Sequence, residues 1–539
     1  MPLPSFDPLV YPYKSNRTCV YAKRGMVAAS QPLASQAGLS MLQKGGNAID
    51  AAVAAAAALT VVEPTSNGIG GDCFALVWKK GKLYGLNSSG KSPKDISIEK
   101  VKKLGVEEMP KLGFLPVTVP GIPGAWAELN NRFGKLALRE CLHPAVQYAR
   151  FGHPVAPTVG KFWQSAFNAY NRNKEGHNFD PWFQTFAPMG RAPHVGETWV
   201  SKDHAKTLEE IGETKAESFY RGRLAKLISD FSAENGGFVT NVDLEEFTPE
   251  WIEPISVNYR GYDVWEIPPN GQGLVALITL NILKGYDFEK RDDVNTYHKQ
   301  FEAMKLGYTL GKNVITDIGH MRYTAAELLD EGFADELRSK INDTAREPAV
   351  YTPNGGGTVY LAAADGEGNM VSFIQSNYMG FGSGMVVPGT GIALQNRGAD
   401  FSLDANHANA LYGGKKTYHT IIPGFLTKDG KPIGPFGVMG GYMQPQGHVQ
   451  VLMNTIDFNH NPQAALDAPR WQWLRGKQFE VESEFPVSIV DELRARGHEV
   501  TVANESTGFG RGQIIWHDDE SRVLIGGTEY RADGAVVGI

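Results

Sequence analysis

The sequence predicts an α+β protein in which sheets built from both ends of the chain lie between helices. Segments that alternate apolar and polar residues are concentrated near both ends, whereas helical spacing dominates residues 110 to 345. Because a sheet must bury its apolar face against another layer, strands from the two ends are expected to pack together under helices. The composition agrees, since 42% hydrophobic residues, 21% charged residues and 61 glycines in 539 residues are typical of a loop-rich globular protein with a sizeable core.

The first hundred residues alternate between helix and strand patterns. LASQAGLSMLQKGG (33–46) has apolar residues at helical spacing and a Gly-Gly stop, and Asn47 is placed to cap the Ala-rich helix AIDAAVAAAAALTVV (48–62). This second run is short and contains Asp50, so it predicts a buried helix rather than a membrane span. SNGIGGDCFALVWKKGKLYGLN (66–87) predicts a turn followed by a hairpin.

The remaining elements follow in order. A helix is predicted after the tight turn in IPPNGQGLVALITLNIL (267–283), and residues 345–357 form an irregular polar connector. Strand patterns return from residue 358 to the C-terminus, with one clear helix among them, PQGHVQVLMNTIDF (445–458). No internal repeat or low-complexity segment is present.

Charge, cysteines and the N-terminus limit the partners and the compartment. A net charge of -7 without a basic stripe argues against nucleic-acid binding. Cys19, Cys73 and Cys141 are far apart and lack a CxxC motif, which indicates a reducing compartment without structural zinc. The N-terminal residues lack the apolar segment of a signal peptide, so a cytoplasmic protein without a membrane partner is predicted.

Most familiar catalytic motifs are absent. The sequence contains no GxGxxG, no phosphate loop, no GxSxG elbow and no HExxH, and its two SxxK matches lack SDN and KTG partners. The 13 histidines are scattered. We therefore expect neither a cofactor nor a catalytic metal.

The remaining chemistry centres on NGGGT (354–358), which leads into the predicted hairpin TVYLAAADGEGNMVSFI (358–374). A threonine hydroxyl needs a base, and the α-amino group of Thr358, freed by cleavage of the Gly357–Thr358 bond, has a reference pKa of roughly 7.7 to 8.0. The glycines would make that bond accessible. Gly440-Gly441 could supply N–H donors for an oxyanion. The alternatives are a flexible loop entering a hairpin and an ordinary turn.

Several segments, in this order, resemble the gamma-glutamyltransferase (glutathione hydrolase) family over nearly the whole chain. They are GMVAASQPLASQAGLSMLQKGGNAIDAAVAAAAALTVVEPTSNGIGGDCF, PVTVPGIPGAW, GGFVTNVDLEEF, NGGGTVYLAAADGEGNMVSFIQS, FGSGMVVPGTGIALQNRGADFS and GGYMQPQGHVQVLMNTIDFNHNPQAALDAPRW. The resemblance implies an N-terminal nucleophile hydrolase with a four-layer αββα sandwich. It also implies a proenzyme that cuts itself into a large subunit (1–357) and a small subunit (358–539), which stay associated as one compact unit.

The resemblance assigns roles by position. Thr358 matches the nucleophile, and Ser376 stands where the family has a second threonine that supports it. Asp400 matches the acid that holds the substrate α-amino group, as a charge-assisted pair. Gly440-Gly441 match the oxyanion loop.

Other positions depart from the family pattern. The family has Thr-Thr-His where this chain has Thr358-Val359-Tyr360, and only Lys91 offers a cation near the position of the carboxylate-binding arginine. His419-Thr420 replace a Ser-Ser pair, and Arg397 replaces a glutamine and could supply the missing cation. The segment between Asp400 and Pro423 is short, which suggests an open pocket. These departures resemble the gamma-glutamyltransferase-like branch that includes cephalosporin acylases.

The sequence therefore predicts a self-processing threonine amidohydrolase or acyltransferase that cleaves γ-glutamyl amides such as glutathione and passes the acyl group to water or an amine. One alternative is the same chemistry on a glutaryl, aminoadipyl or cephalosporin-type acyl group. Another is an unprocessed, catalytically silent binding protein.

Overall fold

The computed structural model of the protein describes residues 7, 9, 16–348 and 357–539. Its strands are β1 Val20–Ala22, β2 Gly25–Ala29, β3 Asp72–Lys79, β4 Lys82–Ser88, β5 His153–Pro154, β6 Thr198–Trp199, β7 Glu250–Ile252, β8 Ile255–Tyr259, β9 Tyr262–Glu266, β10 Gly357–Asp365, β11 Met370–Tyr378, β12 Val386–Val387, β13 Ile392–Ala393, β14 Gly424–Lys428, β15 Lys431–Met439, β16 Trp471–Arg475, β17 Gln478–Val481, β18 Glu499–Val502, β19 Arg511–Asp518, β20 Val523–Thr528 and β21 Ala535–Gly538.

The helices complete the description. They are α1 Pro32–Gln43, α2 Ala48–Val62, α3 Ile98–Lys103, α4 Ile122–Phe133, α5 Leu138–Phe151, α6 Pro157–Arg172, α7 Asp180–Phe186, α8 Lys202–Thr214, α9 Glu217–Arg221, α10 Arg223–Glu234, α11 Asn241–Glu245, α12 Gly273–Leu283, α13 Val294–Val314, α14 Ala325–Leu328, α15 Glu331–Ser339, α16 Gln444–Ile456, α17 Pro462–Asp467 and α18 Val487–Ala495. No helix within the described ranges is long and apolar enough to cross a membrane.

Two seven-stranded sheets form the centre of the protein. The first has the order β21-β2-β10-β11-β3-β4-β7, and the second has the order β1-β20-β19-β15-β14-β9-β8. One apolar cluster fills the space between the sheets, and two larger clusters join the outer faces of the sheets to helices. The result is the predicted four-layer αββα sandwich, with strands from both sides of residue 357 in each sheet.

Strand β10 shows how the sequence alternates between two buried faces. Val359, Leu361 and Ala363 join the helix-side cluster, whereas Tyr360 and Ala362 join the cluster between the sheets. Both faces are apolar, so the strand reads as a continuous apolar run. By the same two-residue period, the Thr358 side chain lies on the face between the sheets.

Helix α2 covers the outer face of β10 and β11. The Asn47 side chain accepts hydrogen bonds from the amides of Ile49 and Asp50, and the Asp50 side chain accepts one from the Asn47 amide, which confirms the predicted cap. All 15 residues are buried. The run of alanines allows the helix to lie close to the strands, and the Gln375 amide group reaches the backbone oxygen of Ala56 at 2.8 Å.

The structure corrects two sequence predictions. The middle of the chain, predicted as mostly helical, also supplies β7, β8 and β9 to the two large sheets. Between β15 and β19 the structure contains α17, α18 and the three-stranded sheet β16-β17-β18 in addition to the one predicted helix. These strands have three to five residues, too few for a clear alternation. Most of the predicted connector, residues 349–356, lies outside the described residues.

Candidate active site

The candidate nucleophile lies at one end of three adjacent strands. On β11 and β3, Ser376 pairs directly with Asp72, and Gly357 at the start of β10 pairs with Tyr378. The register shifts between Gly357 and Val359, where two residues of β11, Ser376 and Asn377, lie opposite the single residue Thr358, so β11 bulges at this point. Thr358, Ser376 and Asp72 are all fully buried.

A chain of hydrogen bonds joins the Thr358 hydroxyl to the peptide bond that precedes it. The Thr358 hydroxyl donates to Ser376 Oγ at 3.1 Å, and Ser376 Oγ donates to the carbonyl oxygen of Gly357 at 2.6 Å. The Tyr378 amide also donates to Ser376 Oγ, at 2.7 Å. The single proton of Ser376 is thereby directed at the Gly357 carbonyl.

Gly357 is held at close range. A Cβ atom added there would lie 2.9 Å from the Gly380 nitrogen and 3.3 Å from the Ser66 Cα, both backbone atoms. Such atoms cannot move aside as a flexible side chain can. The chain around the Gly357–Thr358 bond therefore fits only glycine without a shift of the backbone.

Tyr378 connects this end of the strands to the ionic groups beside it. Its φ of +76° is unusual for a residue with a side chain and indicates local strain of the kind found at functional sites. The Arg397 guanidinium lies over the Tyr378 ring, 4.0 Å from the centroid, and the Tyr378 hydroxyl donates to Asp400 Oδ1 at 2.9 Å.

Arg397 and Asp400 are a buried ion pair in which several polar atoms make no hydrogen bond within the described part of the chain. Arg397 has no exposed surface; its Nη1 donates to Thr420 Oγ1 at 2.7 Å and lies 3.6 Å from Asp400 Oδ2. Arg397 Nε and Nη2 have no hydrogen-bond partner among the described residues, and neither has Asp400 Oδ2. Buried polar atoms without partners carry a desolvation cost, which a polar ligand could remove.

A second cation stands behind Asp400. Lys312 on α13 contacts the Tyr442 hydroxyl, and its Nζ lies 3.8 Å and 4.0 Å from the ring centroids of Tyr418 and Tyr442. The Tyr442 hydroxyl donates to Asp400 Oδ1 at 2.8 Å. Burial lowers the pKa of Lys312 to about 8, although the Asp400 charge opposes this effect.

Asp72 and His419 form a buried pair on the other side of Arg397. His419 Nε2 lies 3.1 Å from Asp72 Oδ2, and His419 Nδ1 accepts from the Ile421 amide at 3.3 Å. The proton of the neutral ring is therefore on Nε2. Burial, reinforced by Arg397, lowers the pKa of His419 well below its ordinary range, whereas burial raises the pKa of Asp72 to about 7 against the opposing effect of Arg397.

Gly440 and Gly441 form the turn between β15 and α16. Their φ angles of +138° and +57° favour glycine, and a Cβ on Gly440 would lie 3.1 Å from the Gly510 Cα. A short 3₁₀ turn, Gly441–Met443, leads directly into α16, whose N-terminal end carries a partial positive charge. The Gln272 side chain donates to both Thr420 O and Gly441 O, at 2.5 Å and 2.9 Å.

The structure brings most of the predicted site residues into one connected group. From Thr358, contacts run through Ser376 and Tyr378 to the pair formed by Arg397 and Asp400, and from Arg397 to Thr420. His419 directly precedes Thr420 and bonds to Asp72. Tyr442, directly after Gly440-Gly441, joins the same group through Asp400.

Lys91 is not part of this group. Its side chain is exposed and lines a separate surface cavity of about 110 Å³ together with Ser89, Lys416 and three carboxylates. A cation facing solvent and surface carboxylates is poorly placed to reach a buried carboxylate. We therefore do not assign to Lys91 the carboxylate-binding role predicted from its sequence position.

Sequence reasoning missed five residues of the group, which are Asp72, Gln272, Lys312, Tyr378 and Tyr442. Asp72 and Tyr442 each directly follow a glycine pair, in GGD and GGY, and this adjacency is the sequence signal that could have found them. Lys312 lies in an ordinary helical pattern, and only the packing of α13 against the tyrosines reveals it.

A cluster of two histidines and a glutamate lies outside the group around Arg397, although the sequence predicted no metal site. The side chains of His298, Glu302 and His498 place ligand atoms within 4.8 Å of one another. Lys305 Nζ already pairs with Glu302 at 2.5 Å, and His298 Nε2 donates to the Asn342 oxygen at 2.7 Å. An internal ammonium thus occupies the position of a cation next to the carboxylate.

Comparison with known proteins identifies the family. The sequence model of gamma-glutamyltranspeptidase matches residues 34–539. The chain belongs to the gamma-glutamyltranspeptidase family. It is 38% identical to the glutathione hydrolase-like YwrD proenzyme of Bacillus subtilis (strain 168), over 97% of this chain and the whole of that protein.

Other relatives within the gamma-glutamyltranspeptidase family are named for different substrates. The oxamate amidohydrolase proenzyme of Klebsiella pneumoniae is 33% identical over 95% of this chain and 98% of its own length. The crystal structure of cephalosporin acylase from Bacillus halodurans superposes with a TM-score of 0.97, at 60% identity and 99% coverage of both chains. The αββα sandwich is thus of the N-terminal nucleophile hydrolase type.

Proposed function

We propose that the protein is a self-processing amidohydrolase with Thr358 as nucleophile, acting on amides whose acyl group carries a free carboxylate. The observation that carries this proposal is the hydrogen-bond chain from the Thr358 hydroxyl through Ser376 to the Gly357 carbonyl oxygen. Family membership and relatives named as proenzymes support it.

Self-cleavage follows from the directions of these hydrogen bonds. Thr358 Oγ attacks the Gly357 carbonyl carbon and loses its proton to Ser376, which passes its own proton to the carbonyl oxygen. The tetrahedral intermediate is then neutral, so no charge develops in the buried site. When the C–N bond breaks, the hydroxyl formed from the Gly357 carbonyl oxygen gives up its proton and becomes the C=O of an ester, while the nitrogen gains a proton and becomes the α-amino group of Thr358. Water then hydrolyses the ester and frees the Thr358 hydroxyl.

The two fragments remain associated because the sheets interleave them. Strand β10, from the small fragment, lies between β2 of the large fragment and β11 of its own. Strand β11 in turn pairs with β3 of the large fragment over seven residue pairs. Cleavage at residue 357 leaves all these ladders in place.

Substrate turnover reuses the same hydroxyl. The freed α-amino group acts as the base that removes the Thr358 proton, since its reference pKa is roughly 7.7 to 8.0. The amides of Gly440 and Gly441, at the positive end of α16, stabilise the oxyanion. Water or an amine then takes the acyl group from the ester.

Arg397 is the proposed anchor of the acyl group. Its unpaired Nε and Nη2 can donate two parallel hydrogen bonds to a carboxylate, which a guanidinium does well. The unpaired Asp400 Oδ2 can accept from an ammonium group, so a γ-glutamyl group fits both ends of the pair. Thr420 accepts a hydrogen bond from the guanidinium, and the preceding residue, His419, is held by Asp72.

A glutaryl-type acyl group is the second candidate. Arg397 Nη1 lies only 3.6 Å from Asp400 Oδ2, so a substrate ammonium there would stand beside a guanidinium, which repels it. An acyl group with a carboxylate and no ammonium avoids that repulsion. The cephalosporin acylase at 60% identity supports this candidate.

Hydrolysis of γ-glutamyl and glutaryl p-nitroanilides by the purified protein and its Thr358→Ala variant tests the proposal. We expect release of p-nitroaniline from at least one anilide by the natural protein and none by the variant. Equal rates for both proteins, or no turnover of either anilide by a fully cleaved protein, would contradict the proposal. An uncleaved, inactive natural protein would favour a silent binding protein.

A further inference from the structure

Asp72 joins two segments that hold Arg397. Its Oδ1 accepts from the Gln395 side chain at 2.9 Å and from the Gly90 amide at 3.2 Å, and its Oδ2 accepts from His419 Nε2 at 3.1 Å. Gln395 precedes Arg397 by two residues, and His419 precedes Thr420, the hydrogen-bond partner of Arg397. One carboxylate therefore connects both sides of the guanidinium.

These segments depend on side-chain bonds for their relative position. Residues 395–400 and 417–420 lie outside the ladders of both large sheets, and each has a separate backbone anchor. The Gln395 amide donates to the Gly70 oxygen at 3.0 Å, and the His419 amide donates to the Asn270 oxygen at 2.9 Å. The side-chain bonds of Asp72 and Arg397 join one segment to the other. Asp72, by contrast, is the first residue of β3 and is paired with Ser376 of β11. It is thus a rigid point to which both segments are attached.

We propose that Asp72 is a positioning residue for substrate binding, which sets the orientation of the Arg397 guanidinium by holding Gln395 and His419 with its ionised carboxylate. This inference rests on the proposed function in one respect, that Arg397 binds the acyl carboxylate. A neutral carboxylic acid would turn an O–H toward one of three N–H donors and release it.

The surroundings of Asp72 place its change of charge near neutral pH. Burial raises its pKa to about 7, against the opposing charges of Arg397 and Lys416. The other titratable groups that face Asp72 are neutral near pH 7. Burial lowers the pKa of His419 well below its ordinary value, and it raises the pKa values of Cys73 and Tyr220 well above theirs. Asp72 is therefore the group expected to titrate.

The Asp72→Asn variant separates positioning from simple charge. With the anilide that the natural protein hydrolyses, we expect KM to rise about tenfold and kcat to change less than about threefold. In the natural protein KM should rise as the pH falls through about 7, whereas in the variant it should stay high and level. A purely electrostatic role has the opposite sign, since removing a negative charge strengthens binding of an anionic acyl group.

Asp457→Asn is the matched control. Asp457 is also a buried carboxylate whose pKa is raised by burial, but it pairs with Arg260 and Tyr259, outside the group around Arg397. We expect its KM and the pH dependence of KM to match those of the natural protein. An unchanged or lowered KM in Asp72→Asn, or the same change in both variants, would overturn the proposal.

A crystal structure of the Asp72→Asn variant gives a readout that does not require activity. We expect the Arg397 Nη1 to Thr420 Oγ1 contact, 2.7 Å in the natural protein, to be lost. An unmoved guanidinium would overturn the positioning role, even if the natural protein proved inactive. If the natural protein hydrolysed neither anilide, that result would contradict the proposed function and would leave the positioning role to be decided by the crystal structure.

Discussion

The raised pKa of Asp72 predicts a specific dependence of stability on pH. The carboxyl has an ordinary pKa of 3.8 in the unfolded chain and about 7 in the folded protein. The folded state therefore binds more protons than the unfolded state between these values, and the free energy of unfolding falls as the pH rises through that window. Above about pH 7 the cost of burying the charge is fully present.

The magnitude follows from linkage. Between about pH 5 and about pH 8 the Asp72 contribution to the free energy of unfolding falls by about 2.5 kcal/mol. An entropy of unfolding of about 2.1 cal/mol/K per residue is about 1.1 kcal/mol/K for this chain, so the expected change in Tm is about 2 °C. Replacing Asp72 by Asn removes this pH-dependent contribution to the free energy of unfolding. The altered hydrogen bonds add an offset that does not depend on pH.

Scanning calorimetry of the Asp72→Asn variant measures the effect in a Thr358→Ala background, where the chain remains single. The Tm of the variant minus that of its parent should increase by about 2 °C from about pH 5 to about pH 8. A difference that does not vary with pH would show that Asp72 has the same charge throughout, and therefore that burial does not raise its pKa into this range. The difference of two Tm values cancels the titration of all other groups.

Three substitutions test the cleavage and binding roles. Ser376→Ala removes the donor to the Gly357 carbonyl and should slow self-cleavage about 100-fold, measured as the time course of fragment formation by electrophoresis. Gly357→Ala introduces a Cβ only 2.9 Å from a backbone nitrogen and should also block cleavage, whereas Gly319→Ala, whose nearest contact is at 3.8 Å, should not. Arg397→Lys replaces a two-pronged donor by a point charge and should raise the KM for the anilide about tenfold or more, with a smaller change in kcat.

For each of these three variants, a different result would contradict the role assigned to the residue. Cleavage of Ser376→Ala at the natural rate would remove Ser376 from the proton path. Equal cleavage of Gly357→Ala and the natural protein would mean that the backbone around Gly380 relaxes. An unchanged KM in Arg397→Lys would exclude the guanidinium as the acyl anchor.

The sequence predicted the elements around the candidate nucleophile well because their local signals are strong. The hairpin of β10 and β11 has continuous β-forming runs around a glycine-containing turn, and the cap at Asn47 is local chemistry. The short strands Glu250–Ile252 and Gln478–Val481 were missed because they have three and four residues, too few for a clear alternation. Glu250–Ile252 also pairs with residues 85–87, far along the chain.

The site was predictable only where motif and fold coincide. The family resemblance places Thr358 and Ser376, whereas Arg397 was predicted as a departure from the family pattern that could supply the missing cation. The structure brings all three into one group of contacts. Lys91 lies apart because sequence proximity to a predicted binding position does not determine which way a side chain faces. Asp72 was missed because its role depends on partners more than 300 residues away.

The most direct test of the central claim is the intact mass of the purified protein and of its Thr358→Ala variant under denaturing conditions, with N-terminal sequencing of the smaller fragment. Self-cleavage before Thr358 should yield two fragments of the natural protein, the smaller one of 182 residues beginning at Thr358 and ending at Ile539, whereas the variant should remain a single chain. A natural protein that stays at the full 539 residues, or a cut at any other bond, would contradict it.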